Sequence, residues 1–140
     1  MRFRRIILAL AMAAGLGASL GIAAPAQAAN ATVDGPYFTV MDARCQNSVH
    51  MYTLGSEVVA TATIVCSKRF PTIVSEINLS RNGSYTGNQR LCTGNPTGCS
   101  SSVRIGNPGG AQTFGAHANC VLDAAGVCRA GWGANVSFRA

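Results

Sequence analysis

The chain has 140 residues, of which 48% are hydrophobic and 11% are charged, and its formal net charge is +6. This length allows about one domain. Only five residues are acidic, which leaves few candidates for the pair of carboxylates that a glycosidase uses. The basic residues form one local cluster, Lys68-Arg69-Phe70. Nucleic-acid binding needs a basic face with aromatic platforms, so we expect no nucleic-acid partner.

Residues 1–28 have the pattern of an export signal. Three arginines supply the positive start, an apolar run extends from Ile6 to Ile22, and Ala26-Gln27-Ala28 provides a small-residue cleavage site. A membrane-spanning helix is the alternative, but the apolar run is short for a span, contains three glycines and is followed by a proline. We therefore expect a secreted, extracellular mature chain, residues 29–140, that forms one domain, has a net charge of +3 and is not attached to a membrane.

All six cysteines lie after the cleavage site. An even number of cysteines in a small exported domain predicts three disulfides. Zinc ligands usually come in pairs about two to four residues apart, and these cysteines do not, so we expect no metal site. Among the possible pairings we predict the sequential one, in which each bridge would contribute about 2.5–3.5 kcal/mol on the chain-entropy model. The pairs are Cys45–Cys66, Cys92–Cys99 and Cys120–Cys128.

The mature chain begins with a polar stretch, residues 29–36, that we expect to be flexible. After it, alternation of apolar and polar residues predicts β-strands, because successive side chains of a strand point to opposite faces. The first three strand candidates are Tyr37–Arg44, Ser48–Leu54 and Glu57–Cys66, with Gly55 as a turn before the third.

The third candidate alternates most clearly. A fourth candidate follows after a break at residues 68–71 and includes Ile73 to Ser80, and these two strands are predicted to lie at the centre of the domain. In the fourth candidate, apolar side chains share one face and polar side chains share the other. The predicted inward residues of the two strands are Val58, Ala60, Ala62, Ile64, Cys66, Ile73, Ile77 and Leu79. The polar face of the fourth carries Glu76, Asn78 and Ser80.

The turn after the fourth candidate has two possible lengths. Asn82-Gly83 suggests a two-residue hairpin, which would place Leu79 opposite Thr86, so that an apolar face would meet a mostly polar one. A three-residue loop, Arg81-Asn82-Gly83, shifts the partner strand by one residue and places Leu79 opposite Tyr85. The glycine would take the left-handed position of a turn with a bulge. We predict the three-residue loop.

Three more strand candidates complete the chain: Ser101–Ile105, Thr113–Leu122 and a final strand from Cys128, on which Trp132 is predicted to fill the centre of the core. No segment has a convincing helical period. Short strands separated by glycine-rich turns predict an all-β fold, a small disulfide-stabilised immunoglobulin-like β-sandwich of about seven or eight strands. A closed barrel is the alternative.

Residue types that serve in catalysis are present, but no recognised motif contains them. The chain has no Gly-x-Ser-x-Gly motif, and its only histidines are His50 and His117. His117 falls on the polar face of its strand, where we expect a solvated side chain, and His50 is expected at the surface. We therefore expect no enzyme activity and no cofactor.

The segment between Cys92 and Cys99 is the candidate binding loop. A loop that contains proline and is closed by a disulfide is pre-organised, so it loses little entropy on binding. Rigid loops of this kind allow small exported proteins to inhibit proteases. The alternative is that the bridge only fixes the end of a hairpin. The loop residues are Gly94, Asn95, Pro96 and Thr97.

The alanine-rich leader, the strand ending in Cys66, the Arg81-Asn82-Gly83 hairpin and the short-range cysteine pairs resemble small secreted immunoglobulin-like β-sandwich proteins of actinobacteria. The chain is also similar to the enediyne-binding apoproteins of the neocarzinostatin type in size, in short-loop disulfides and in a last strand with Val136-Ser137-Phe138. Those apoproteins have two disulfides where this chain offers three. The second resemblance implies a carrier of a small molecule.

Taken together, these features favour a secreted, monomeric, non-enzymatic module that binds a protein or a cell-wall component or is associated with the cell envelope. One alternative is a secreted protease inhibitor that acts through the Cys92–Cys99 loop. Another is a carrier of an apolar small molecule in a cleft beside Trp132.

Overall fold

The computed structural model describes residues 29–122, 126–127 and 133–140, without the side chains of residues 120–122 and 126–127. The predicted leader, Trp132 and the Cys120–Cys128 pair lie outside what is described. No helix in the described ranges is long and apolar enough to cross a membrane. Their regular elements are all strands: β1 (Asn30–Val40), β2 (Ala43–Leu54), β3 (Glu57–Cys66), β4 (Thr72–Arg81), β5 (Ser84–Thr93), β6 (Gly98–Gly106), β7 (Thr113–Leu122), β8 (Gly126–Val127) and β9 (Ala134–Arg139).

The strands form two antiparallel sheets. The first sheet has the order β1-β2-β3-β6. In the second, β5, β4 and β7 are neighbours, and the short β8 and the longer β9 both pair with β7. Eight of these described strands have six residues or more. The prediction of an all-β, disulfide-stabilised sandwich is therefore confirmed, and the two central strands, β3 and β4, lie inside their sheets as expected.

The core lies between the inner faces of the two sheets. Every residue predicted to point inward from β3 and β4 is buried. Burying one large apolar side chain such as Ile77 contributes about 1.5–3 kcal/mol relative to leaving it exposed. Ala62 and Ile77 belong to one cluster that joins both sheets, together with residues of β2, β7 and β9. Phe114 is among the largest fully buried side chains of this cluster.

One polar contact is built into this apolar interior. The Ser75 hydroxyl of β4 donates to the backbone oxygen of Ala62 at 3.3 Å and lies 3.0 Å from the hydroxyl of Ser101 on β6. Both serines are buried. Because a serine hydroxyl has one hydrogen, Ser101 must be the donor to Ser75. The two sheets are thus hydrogen-bonded to each other as well as packed.

Two of the three predicted disulfides are confirmed. Cys45–Cys66 joins residues directly opposite each other on β2 and β3. Cys92–Cys99 joins β5 to β6 and so ties one sheet to the other. Disulfides persist in oxidising surroundings, so these bridges indicate that the chain folds in an oxidising compartment.

The segment that follows the predicted leader differs from the expectation. The sequence predicts a flexible segment over residues 29–36, but β1 begins at Asn30 and pairs with β2 as far as Tyr52, with a register shift between Asp34 and Tyr37. Backbone pairing with the neighbouring strand orders these residues although few of their side chains are large and apolar. The expectation of a flexible start is wrong.

The strand predicted over Tyr37–Arg44 is in fact two strands. Met41-Asp42 is a two-residue turn that leaves Val40 paired with Ala43. Both turn residues have a left-handed backbone, with φ of 46° and 64°. Such turns usually contain Asn or Gly, so the sequence carries no usual signal for this one. The later candidates Ser48–Leu54 and Ser101–Ile105 lie within longer strands, β2 and β6, both of which begin several residues earlier than predicted.

The predicted three-residue loop after β4 is also wrong. Asn82-Gly83 forms a two-residue turn with φ of 49° and 87°, the backbone expected for a type I′ hairpin. Leu79 accordingly lies opposite Thr86, not Tyr85.

The reason is the position of β5 at the edge of the second sheet. Its inward side chains lie beside β6 at the margin of the core, so they need not be apolar. Asn88, for example, donates to the backbone oxygen of Ser102 on β6 at 2.7 Å. The apolar side chains of β5 point outward instead: Tyr85 is 76% exposed and Leu91 is 61% exposed.

Candidate functional site

The outer face of the second sheet carries a grid of polar side chains. Antiparallel register brings outward residues of neighbouring strands side by side, so they form rows across the strands. The first row is Tyr85, Ser80, Gly115 and Ser137; the second is Gly87, Asn78, His117 and Asn135; the third is Gln89, Glu76 and Asn119.

Two open hollows meet on this face. One, of about 240 Å³, extends over β4, β7 and β9 and is bordered by Tyr85. The other, of about 430 Å³, lies over β4 and β5. Asn78 lines both. We call the two hollows together the outer groove.

Two glycines give the outer groove its depth. Gly87 lies opposite Asn78, and a Cβ atom at position 87 would come 2.6 Å from the Asn78 Oδ1. Gly115 lies opposite Ser80, and a Cβ there would come 3.1 Å from the Ser80 Oγ. Side chains at either position would fill the groove or displace the polar groups that line it.

Hydrogen bonds hold the lining side chains in place. Asn78 Nδ2 donates to Glu76 Oε1 at 3.1 Å, and Ser80 Oγ donates to the backbone oxygen of Gly115 at 3.1 Å. His117 is hydrogen-bonded through Nε2 to Asn119 at 2.6 Å and through Nδ1 to Asn135. The imidazole, expected to be solvated, is half-buried and has an amide at each ring nitrogen. The groove surface is therefore pre-organised.

The charge of the outer groove is low. Among the described residues that line it, Glu76 is the single carboxylate and there is no lysine or arginine. Its hydrogen-bonding groups are amides, hydroxyls and an imidazole. Such a surface can bind a ligand through directional hydrogen bonds, but it has no cationic group with which to bind an anion.

The predicted binding loop is tied to the body of the protein. Cys66 N donates to Thr97 O at 2.7 Å, and Phe70 N donates to Pro96 O at 3.1 Å. Arg69 Nη1 donates to Asn95 O at 2.9 Å. Gly94 and Asn95 have φ of 83° and 59°, so this part of the loop is a left-handed turn and not an extended segment.

The two histidines lie on opposite outer faces of the sandwich. His50 is on β2 in the first sheet, where its Nε2 is 2.8 Å from Asn30 Oδ1 and its ring stacks on Tyr52 with centroids 4.9 Å apart. His117 is on β7 in the second sheet. In the described part of the chain, no three histidine, cysteine, aspartate or glutamate side chains come together in a way that would hold a metal ion.

Comparison of the chain with protein-family models, with curated proteins and with solved structures found no match. The resemblances to secreted actinobacterial proteins and to neocarzinostatin-type apoproteins therefore stay predictions. Any assignment of function has to come from the surface of the molecule itself.

Proposed function

We propose that the protein is an exported, non-enzymatic binding module that acts through the outer groove. The observation that carries this proposal is the combination of an open groove with polar side chains that already hold one another in place. Pre-organised groups lose little conformational entropy when a ligand binds. A scaffold in which two described disulfides accompany a core cluster shared by both sheets presents such a surface rigidly.

Export is supported by the oxidised cysteine pairs and by the pattern of residues 1–28. An exported module of this size meets cell-envelope material and extracellular proteins first. We therefore propose a cell-wall component as the partner to test before any other.

Binding without catalysis is supported by the partners of the groove side chains. His117 is bonded to two amides, and the hydrogen of Ser80 is directed to a backbone oxygen. Glu76 accepts from Asn78. These contacts orient the groups but do not form the chain of nucleophile, base and acid that a hydrolase requires.

The protease-inhibitor hypothesis has less support. An inhibitory loop presents its backbone to the protease, whereas three consecutive carbonyl groups of this loop, from Asn95 to Thr97, accept hydrogen bonds from residues 66–70. The carrier hypothesis places its ligand beside Trp132, outside the described residues, so it stays a prediction.

The proposal can be tested by sedimentation of the purified mature protein with cell walls isolated from the organism that produces it. Asn78→Ala/Asn135→Ala removes two amides from the outer groove. The matched control is Thr61→Ala/Ser102→Ala, which removes a hydroxyl pair, 2.8 Å apart, from the outer face of the first sheet. We expect the wild type and the control to sediment with the walls and the groove variant to remain in solution. Equal sedimentation of all three proteins, or of none, would reject the proposal.

A further inference from the structure

We infer that the outer groove binds a neutral oligosaccharide chain; this assignment of ligand class rests on the function proposed above. A sugar ring presents hydroxyl groups that both donate and accept hydrogen bonds, and C–H faces that are apolar. The outer groove combines side chains suited to both features.

The hydrogen-bonding side chains match adjacent hydroxyl groups. The amides of Asn78 and Gln89 each offer a donor and an acceptor side by side, and Asn135, whose oxygen is bonded to His117, offers its amide hydrogens. Asn78 donates one amide hydrogen to Glu76, and this contact orients its second hydrogen and its oxygen. Of two neighbouring sugar hydroxyls, one can accept a hydrogen bond from the NH2 group of such an amide while the other donates to its oxygen. The hydroxyl groups of Ser80 and Ser137 add further partners.

Tyr85 supplies the apolar part of the site. It lies beside Ser80 at the margin of the groove and is 76% exposed. An exposed tyrosine has a large apolar ring with a polar tip, so it can pack against the C–H face of a sugar while its hydroxyl stays in water.

The charge of the lining excludes the other common polymers. Nucleic acids, phosphate-rich wall polymers and acidic polysaccharides are bound chiefly through lysine and arginine, and the described lining has neither. Its carboxylate, Glu76, would repel an anion. A neutral ligand avoids this repulsion.

A peptide is a poorer match for a different reason. The groove runs across the strands, over β4 and β7, and both of these strands are paired on each side, so they cannot accept an added strand. Peptide anchors also need apolar pockets, whereas the side chains that project into this groove, apart from Tyr85 at its margin, are mainly amides, hydroxyls, an imidazole and a carboxylate. From β5 to β9 the groove crosses three strand spacings, about 14 Å, which suits a short segment of a linear sugar chain.

The test is isothermal titration calorimetry with four neutral hexasaccharides, cellohexaose, chitohexaose, maltohexaose and mannohexaose, and with oligogalacturonate as the anionic comparison. We expect at least one neutral hexasaccharide to bind and oligogalacturonate not to bind. Tyr85→Ala should weaken that binding about tenfold, because the stacking ring is lost. Tyr85→Phe keeps the ring and should bind within about threefold of the wild type. The matched control, Tyr37→Ala, removes an exposed tyrosine from the first sheet and should change nothing.

The two experiments together distinguish a wrong ligand class from a wrong binding function. If no neutral hexasaccharide binds, but sedimentation with cell walls still depends on Asn78 and Asn135, the ligand class is wrong and the binding function stands. If neither occurs, both are wrong. Binding to which Tyr85→Ala and Tyr37→Ala respond equally would also overturn the inference. Circular dichroism verifies that each variant is folded, as expected for such exposed positions.

Discussion

Gly87 and Asn78 lie directly opposite each other on β5 and β4, and a Cβ atom at position 87 would come within 2.6 Å of Asn78 Oδ1. The side chain of Asn78 can therefore keep its place only because residue 87 has none. We predict that Gly87→Ala displaces Asn78, breaks its hydrogen bond to Glu76 and weakens groove-dependent binding about tenfold or more. Sedimentation with cell walls measures the loss.

The matched control for this change is Gly109→Ala, since a Cβ at position 109 meets no atom within 4 Å. We expect this variant to bind as the wild type does. Gly87→Ala should leave the thermal midpoint within a few degrees of the wild type, because alanine in a strand loses less backbone entropy than glycine and offsets part of the displacement. Unchanged binding by Gly87→Ala would show that the orientation of Asn78 does not matter.

The sequence predicts the fold well where one face of a strand is fully buried. In β3 and β4 the apolar side chains alternate because each strand lies inside a sheet and packs against the other sheet. At the edges this rule fails. The edge strand β5 has polar inward residues such as Asn88 and apolar outward ones such as Tyr85, so matching of apolar faces leads to the wrong hairpin register.

The wrong hairpin register also prevents the candidate site from being predicted from the sequence. With a three-residue loop, Tyr85 and Gly87 would point into the core, and no groove would exist beside Asn78. The polar face of β4 and the polar position of His117 can be read from alternation alone. Their adjacency cannot, because it depends on the pairing of β4 with β7 and of β7 with β9, which brings together residues far apart in the chain.

The two described disulfides should contribute unequally to stability. Cys45–Cys66 closes a sequence separation of 21 residues and Cys92–Cys99 one of 7. Loop-closure entropy alone predicts losses of about 3.3 and about 2.4 kcal/mol, respectively, when each pair is replaced. Burial separates the pairs only slightly, because Cys45, Cys66 and Cys99 are all buried and Cys92 is half-buried. We therefore expect Cys45→Ala/Cys66→Ala to unfold at a lower urea concentration than Cys92→Ala/Cys99→Ala. The reverse order would show that the covalent link between the two sheets contributes more to stability than the closure of the longer loop.

The hydrogen bond between Ser75 and Ser101 should couple the two sheets energetically. Ser75→Ala leaves a buried Ser101 hydroxyl without its acceptor and should cost about 1–3 kcal/mol. Ser101→Ala should cost less, because Ser75 still donates to the backbone oxygen of Ala62. Adding Ser101→Ala to Ser75→Ala removes the unsatisfied group, so the double variant should be more stable than the sum of the two losses predicts, by about 1 kcal/mol.

Urea denaturation of the four proteins of this cycle measures the coupling. The pair Thr61 and Ser102 serves as the control cycle, because its hydroxyls are 2.8 Å apart on the outer face of the first sheet, where water can replace either partner. We expect a coupling close to zero there. Equal coupling in the two cycles would contradict the view that burial gives the Ser75–Ser101 bond its effect.

The turn between β1 and β2 offers a route to higher stability. Met41 has a φ of 46°, a left-handed backbone conformation that is energetically unfavourable for methionine. Its side chain is 68% exposed, so packing compensates for little of this strain. Asparagine tolerates this backbone better and is common in such turns. We predict that Met41→Asn raises the free energy of unfolding by about 0.5–1 kcal/mol. Met41→Leu, which keeps the apolar character and the same steric conflict, should bring no gain. If the two variants unfold at the same urea concentration, left-handed strain at position 41 is not what limits the stability of this hairpin.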